Sequence, residues 1–144
     1  MNACIFCDIL ASLAPANFVQ RDELCAAFMD IRPVNPGHVL VVPRTHAILF
    51  SELDKESVGH MFEVAQWVDA ALRTSGIQCE GVNLFLADGR VAGQEVMHVH
   101  LHVIPRFHND GHHLRFSQAY FIRTPPAELE KNAEMIRKQI GGLA

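Results

Sequence analysis

The segment Met97-His98-Val99-His100-Leu101-His102-Val103-Ile104-Pro105-Arg106 constrains this chain more than any other. Polar and apolar residues alternate there, and a period of two marks a half-buried β-strand. The pattern predicts a strand over Val96–Pro105. Val99, Leu101 and Val103 would face a core, while His98, His100 and His102 share the opposite face about 7 Å apart. A lone histidine is more often a satisfied structural residue than a functional one. Three in alternation have no packing rationale and point to chemistry. One reading is a three-histidine metal centre that activates water, although the spacing on a flat strand is wide for a single ion. The other divides the labour: one ring ligates a structural metal, one is a nucleophile toward an acyl or phosphoryl centre, and one orients or donates a proton.

The rest of the chain supplies a frame for such a strand. With 144 residues, 49% hydrophobic and 19% charged, it can build one domain around a real core and is not a disordered tail. Twelve Lys+Arg against sixteen Asp+Glu, a net charge of -4, argue against a dedicated nucleic-acid surface or a polybasic membrane anchor. A small phosphate pocket remains compatible. No apolar run approaches the roughly 20 residues of a membrane span. The opening MNACIFCDIL lacks the pattern of a signal peptide, so a cytoplasmic location is expected.

Short strands are predicted at Asn17–Arg21 and Cys25–Met29, joined by a turn at Arg21–Glu23. A Pro/Asn/Gly loop, Arg32–His38, leads into a buried strand, Val39–Pro43. Asp54–Thr74 reads as a long helix capped by Asp54, with Val58, Met61, Phe62, Ala65, Val68 and Leu72 as its apolar stripe. Gly81–Ala87 is a further strand, followed by a turn around Asp88–Gly93. A second helix, about 124–140, is expected with Thr124 as cap, Pro125 at its first position, an inner stripe of Leu129, Ala133, Ile136 and Ile140, and Gly141 as its stop. This order predicts one α+β domain over residues 1–144, with a mainly antiparallel five-stranded sheet.

Cys4 and Cys7 form a C-x-x-C, the spacing of a redox pair or of half a zinc site. No βαβ unit precedes them, so metal is the better functional reading, beside an equal expectation of two idle thiols. His38 and His46 bracket the VLVVP strand, and two histidines would complete a Cys2His2 set; the spacing leaves open which two. Cys25 and Cys79 read as core residues. Arg44 and His60 read as solvated surface groups, Trp67 as a packing residue, and His108, His112 and His113 as a solvated loop. By itself Asp30 reads as a turn cap.

In their order along the chain, these motifs resemble the histidine triad (HIT) superfamily of nucleotide hydrolases and transferases. The resemblance runs from Cys4-Ile5-Phe6-Cys7-Asp8-Ile9 through Asp30-Ile31-x-Pro33, Gly37-His38-x-Leu40 and Pro43-Arg44-x-His46. It continues through Gly93-Gln94-Glu95-Val96-x-His98-Val99-His100-Leu101-His102-Val103-Ile104-Pro105-Arg106. It implies an HIT-like fold and cleavage at the α-phosphorus of a nucleoside phosphoramidate or dinucleoside polyphosphate, with a purine nucleotide as substrate. His100 matches the nucleophile that becomes nucleotidylated, His102 the neighbour that contacts phosphate, and His38 a supporting histidine. Asp30 matches the residue that binds ribose hydroxyls and Ile31 lies beside the base pocket. Gln94 and the backbone after it match a loop that donates to phosphate oxygens. A structural zinc held by Cys4, Cys7, His46 and His98 is implied, as is a homodimer joined through sheet edges. One position departs from the family: relatives usually carry Asn or Gln where this chain has Ala87. Loss of such a donor costs roughly two to three orders of magnitude in rate. The departure motivates an alternative, a nucleotide-binding or protein-interaction module with little turnover.

Overall fold

Val39–Pro43 is apolar at every position because both of its faces are covered, and as β3 it is buried throughout. The structure is a computed structural model that describes residues 4–143. The chain forms two compact units that divide after His112. In the first unit β3 is the middle of an antiparallel five-stranded sheet ordered β1-β2-β3-β5-β4. The other strands are β1 (Phe18–Arg21), β2 (Cys25–Met29), β4 (Gly81–Phe85) and β5 (Leu101–Arg106). Two helices belong to this unit: α1 (Ile5–Leu10) and the long α2 (Lys55–Thr74).

One sheet face, carrying Cys25, Ala27, Val39, Val41, Leu101 and Val103, packs on Met61, Val64, Ala65, Val68 and Leu72 of α2. The other face, carrying Ala26, Phe28, Leu40 and Val42, is covered by Phe6, Ile9 and Leu10 of α1. Alternate residues of β2 and β3 therefore enter different cores, and neither strand shows a polar face. Asp54 caps α2 by accepting from the Ser57 backbone N–H at 2.8 Å. The buried stripe of α2 includes Ser57 and Val64. Phe62, expected in it, is instead exposed.

Helix α1 was not legible in the sequence, being shorter than two full turns and lacking a side-chain cap. The predicted strand Val96–Pro105 is shorter at its start: regular pairing begins only at Leu101. In the second unit α3 spans Pro126–Ile140, with Pro126 rather than Pro125 at its first position. Its expected inner stripe is not buried: Leu129, Ile136 and Ile140 are all exposed. Among the described residues no helix is long and apolar enough to cross a membrane.

Candidate active site and metal centre

The late start of β5 is what separates the three histidines. Before it, the chain is held by a tight His98 N–H to Val96 C=O contact at 2.8 Å and by Val99 N–H donating to Ala47 C=O at 2.8 Å. His98 thereby turns toward α1 and the His46 loop. His100 and His102 stay together, with ring centroids 4.9 Å apart. That is closer than the expected same-face spacing, because the chain through His98 and His100 is not a flat strand.

His98 Nε2 donates to the Pro43 carbonyl at 2.8 Å, so its Nδ1 carries a lone pair. That atom lies 3.5 Å from Cys4 Sγ, 3.7 Å from Cys7 Sγ and 3.3 Å from His46 Nδ1. Cys7 Sγ is 3.3 Å from His46 Nδ1. The four donor atoms all lie within 4.8 Å of one another. Two soft sulfurs and two imidazole nitrogens at these separations are compatible with a tetrahedral zinc ion. Burial, and then the neighbouring Cys4, push the Cys7 thiol up to about 11, so the bare cluster disfavours thiolate. A cation between the sulfurs reverses that preference.

The second group is built by the Asp30–His38 loop. Gly37 has φ +95, and a Cβ there would stand 3.0 Å from both Leu72 and Ile77. Only glycine lets the loop press against the end of α2 and enter β3 with His38 directed inward. Asn35 anchors the same loop by donating to Pro105 C=O at 2.9 Å and to Asp110 Oδ2 at 2.9 Å.

His38 Nδ1 accepts from the Val34 N–H at 3.1 Å, which leaves its proton on Nε2. That proton is donated to His102 Nδ1 at 2.9 Å. His102 must then carry its own proton on Nε2. Asp30 Oδ2 sits 3.7 Å from His38 Nε2 and 4.0 Å from His102 Nδ1. Asp30, His38 and His102 converge closely enough to suggest a second ligand set. The Val34 N–H argues otherwise, since it occupies the one lone pair of neutral His38. Among the described residues no metal-sized cluster joins His98, His100 and His102.

His100 Nδ1 donates to the His98 carbonyl at 2.7 Å. Its Nε2 therefore holds an unshared pair. Phe6 lies edge-on against the ring, 5.1 Å between centroids. Burial lowers the pKa of His38 and His100 and pushes His102 down to about 4, aided at His102 by neighbouring His100 and His38. All three rings are neutral near pH 7.

A group with a depressed native pKa binds fewer protons folded than unfolded, so its contribution to stability is lost as pH falls. For His102 the window runs from about 6.5 down to about 4. Urea unfolding is expected to lose about 2 kcal/mol more between pH 7 and pH 4.5 in the native protein than in His102→Gln. Equal slopes would show that this ring is not held neutral.

The remaining site residues divide clearly. Ile31 is 92% exposed at the lip beside Asp30. Gln94 is buried, and its amide is spent inside the loops: Oε1 accepts from the Gly89 N–H at 2.9 Å and Nε2 donates to Ile48 C=O at 2.8 Å. Ala87 is buried, and Asn83 is engaged by Arg106. Neither restores the missing amide.

Arg44, expected in solvent, instead donates through Nε to Asp22 C=O and fastens the β1–β2 turn. His60 is likewise not free. Its Nε2 is 2.7 Å from Asp22 Oδ2 and its Nδ1 3.0 Å from Glu63 Oε2. The pair formed by Arg32 and Glu95 was not foreseen from sequence. It joins the loop after Asp30 to the loop before His98, with Arg32 Nη2 at 2.7 Å from Glu95 Oε2.

Comparison with known proteins agrees with this fold. The HIT domain model matches residues 12–109. A HIT-like protein of Methanocaldococcus jannaschii is 41% identical over 115 residues, which covers 80% of this chain and 88% of that one. A zinc-bound histidine triad family protein from Mycobacterium smegmatis is similar at 35% identity and TM-score 0.72, covering 98% of this chain and 95% of that one. A histidine triad nucleotide-binding protein from Candida albicans superimposes with TM-score 0.86 at 25% identity, covering 99% and 100% of the two chains. With the family model spanning well over half of its length and taking in all three triad histidines, the chain belongs to the HIT family.

Proposed function

We propose that the protein is a nucleotide hydrolase or transferase that cleaves at the α-phosphorus of a nucleoside phosphoramidate or dinucleoside polyphosphate. The observation that carries this reading is the locked tautomer of His100. Its Nδ1–H is committed to the His98 carbonyl, so Nε2 is a neutral, unshared nucleophile beside a ring that presents an N–H. The nucleotide-binding relative from Candida albicans supports the substrate class.

In this mechanism His100 Nε2 attacks phosphorus and an N–P bond forms. The bond from phosphorus to the leaving oxygen or nitrogen breaks, and its electron pair departs with the leaving group. A phosphate leaves as an anion; an amine takes up one proton from solvent water. The positive charge gained by the ring is held through Nδ1–H by the His98 carbonyl. His102 Nε2–H donates to a non-bridging oxygen, where charge develops. Asp30 accepts from the ribose hydroxyls beside Ile31. Water then attacks phosphorus, the N–P bond breaks with its electrons returning to His100, the water proton passes to solvent, and a nucleoside monophosphate leaves.

Cys4, Cys7, His46 and His98 would hold zinc in a closed structural site. Bound there, zinc supplies a cross-link between α1, the His46 loop and the triad segment. The residues themselves explain the link to chemistry: His98 offers its side chain to the cluster and its carbonyl to His100.

The test is capture of the intermediate. Base-quenched reaction with an adenosine substrate, kept alkaline because acid cleaves the N–P bond, is expected to leave a nucleotidyl group on His100, located by peptide mass mapping, with release of AMP. The alternative, a binding module with little turnover, is favoured by buried Ala87 alone. It predicts saturable nucleotide binding without adduct or product.

A homodimer is part of the proposal. β4 is an edge strand; Leu84 on it is exposed on the α2 face near Phe62, and Phe85 is exposed on the opposite face, its ring centroid 5.7 Å from that of His102. Pairing of two β4 edges would cover them. Sedimentation is expected to give a dimer, and Leu84→Lys to give a monomer; a monomeric native protein would remove this part.

A further inference from the structure

An anionic substrate must enter a site that carries the carboxylates of Asp30 and Glu95. Asp30 stands within 4.0 Å of the His38 and His102 ring nitrogens. Glu95 stands three residues before His98, in the loop that leads into the triad segment, and its carboxylate lies 2.7 Å from Arg32 of the Asp30 loop. Ala87 has no amide, and the buried Gln94 amide is turned to the Gly89 N–H and the Ile48 carbonyl. Left alone, the Glu95 carboxylate would repel a phosphate-bearing substrate.

Arg32 answers that charge. Its backbone N–H is pinned to Asp30 Oδ1 at 2.8 Å, which fixes where the side chain starts. Its guanidinium then reaches Glu95 in the loop before His98, at 2.7 Å. The side chains of both are more than 70% exposed. Such a pair is weak, worth roughly 0–1 kcal/mol, and its partners exchange readily. The guanidinium has five N–H donors, and this contact uses one of them. The others match the oxygens of a phosphate.

We propose that Arg32 and Glu95 form the charge-selecting element of the site. Arg32 neutralises Glu95 and offers its free N–H groups to phosphates on the leaving-group side. The site thereby favours substrates whose leaving group carries phosphate, such as dinucleoside polyphosphates, over those that release a neutral amine. This deepens the proposed function and rests on His100-dependent turnover.

The experiment compares kcat/KM for a diadenosine polyphosphate and an adenosine phosphoramidate, at low and high salt. Arg32→Ala is expected to lower the polyphosphate-to-phosphoramidate ratio about tenfold, the size of a lost charged hydrogen bond. Glu95→Gln frees Arg32 and is expected to raise the ratio several-fold, and added salt to shrink both changes. A ratio unchanged in both variants, or moved in the opposite direction, overturns the proposal. Both positions are exposed, so folding is checked by an unchanged thermal midpoint. If native turnover of both substrates survives His100→Ala, the reading of the site itself has failed; if turnover needs His100 and the ratio does not move, only the role of Arg32 and Glu95 has.

Discussion

Replacement of His100 with alanine is expected to lower turnover by at least about three orders of magnitude, with no nucleotidyl adduct formed. The argument is one of lone pairs. His38 Nε2 carries a proton that it gives to His102 Nδ1, and His102 Nε2 carries one as well. His98 offers its side-chain lone pair to the Cys4–Cys7 cluster. Of the histidines gathered at this face, His100 alone keeps a bare nitrogen, so no neighbour can take over the attack. Alanine would also empty space beside Phe6, and a loss of fold would mimic a loss of chemistry. His100→Gln separates the two: it fills the space and can donate to the His98 carbonyl but is not a nucleophile. It is expected to melt close to the native protein and to be equally inactive. Turnover within tenfold of native in a folded His100→Gln would overturn the assignment.

Removal of metal is expected to cost stability before it costs chemistry. The native protein should carry one zinc per chain when purified without added metal. Chelation should lower the melting temperature by about 10 °C, from a binding contribution of about 4 kcal/mol in a chain of this size. Restored zinc should restore it. Cys4→Ser with Cys7→Ser should melt at the chelated temperature and respond to neither chelator nor zinc. The ion would lie behind His100 and not at it, because His98 turns its ring to the cluster and only its carbonyl to the nucleophile. A preparation free of metal whose melting ignores chelation would refute the zinc proposal.

Parts of this architecture were readable in advance because they depend on local pattern. Strict alternation around Leu101 and Val103 and the continuous apolar run Val39–Pro43 each report burial directly, and the cap at Asp54 reports the start of α2. Patterns failed where burial depends on distant partners. Phe62 has helical spacing yet lies off the buried stripe, because the sheet beneath α2 meets Val64 instead. Arg44 and His60 read as solvated, but both reach Asp22 in the β1–β2 turn, a contact that no periodicity announces. Helix α1 is too short to display a period, and packing of Phe6, Ile9 and Leu10 against the sheet stabilises it.

The sequence by itself determined the chemistry available: which residues can ligate, attack or donate, and that the alternating segment would put apolar side chains on one side and imidazoles on the other. That follows from residue type and the twofold repeat of an extended chain. Tertiary structure decided which nitrogen of each ring is free. Protons are assigned by the partner each ring meets in the fold: the distant Pro43 carbonyl for His98, the Val34 N–H of its own loop for His38, and through His38 the Nδ1 of His102. A neutral imidazole has one donor and one acceptor that exchange at almost no cost, so only the fold can choose between them.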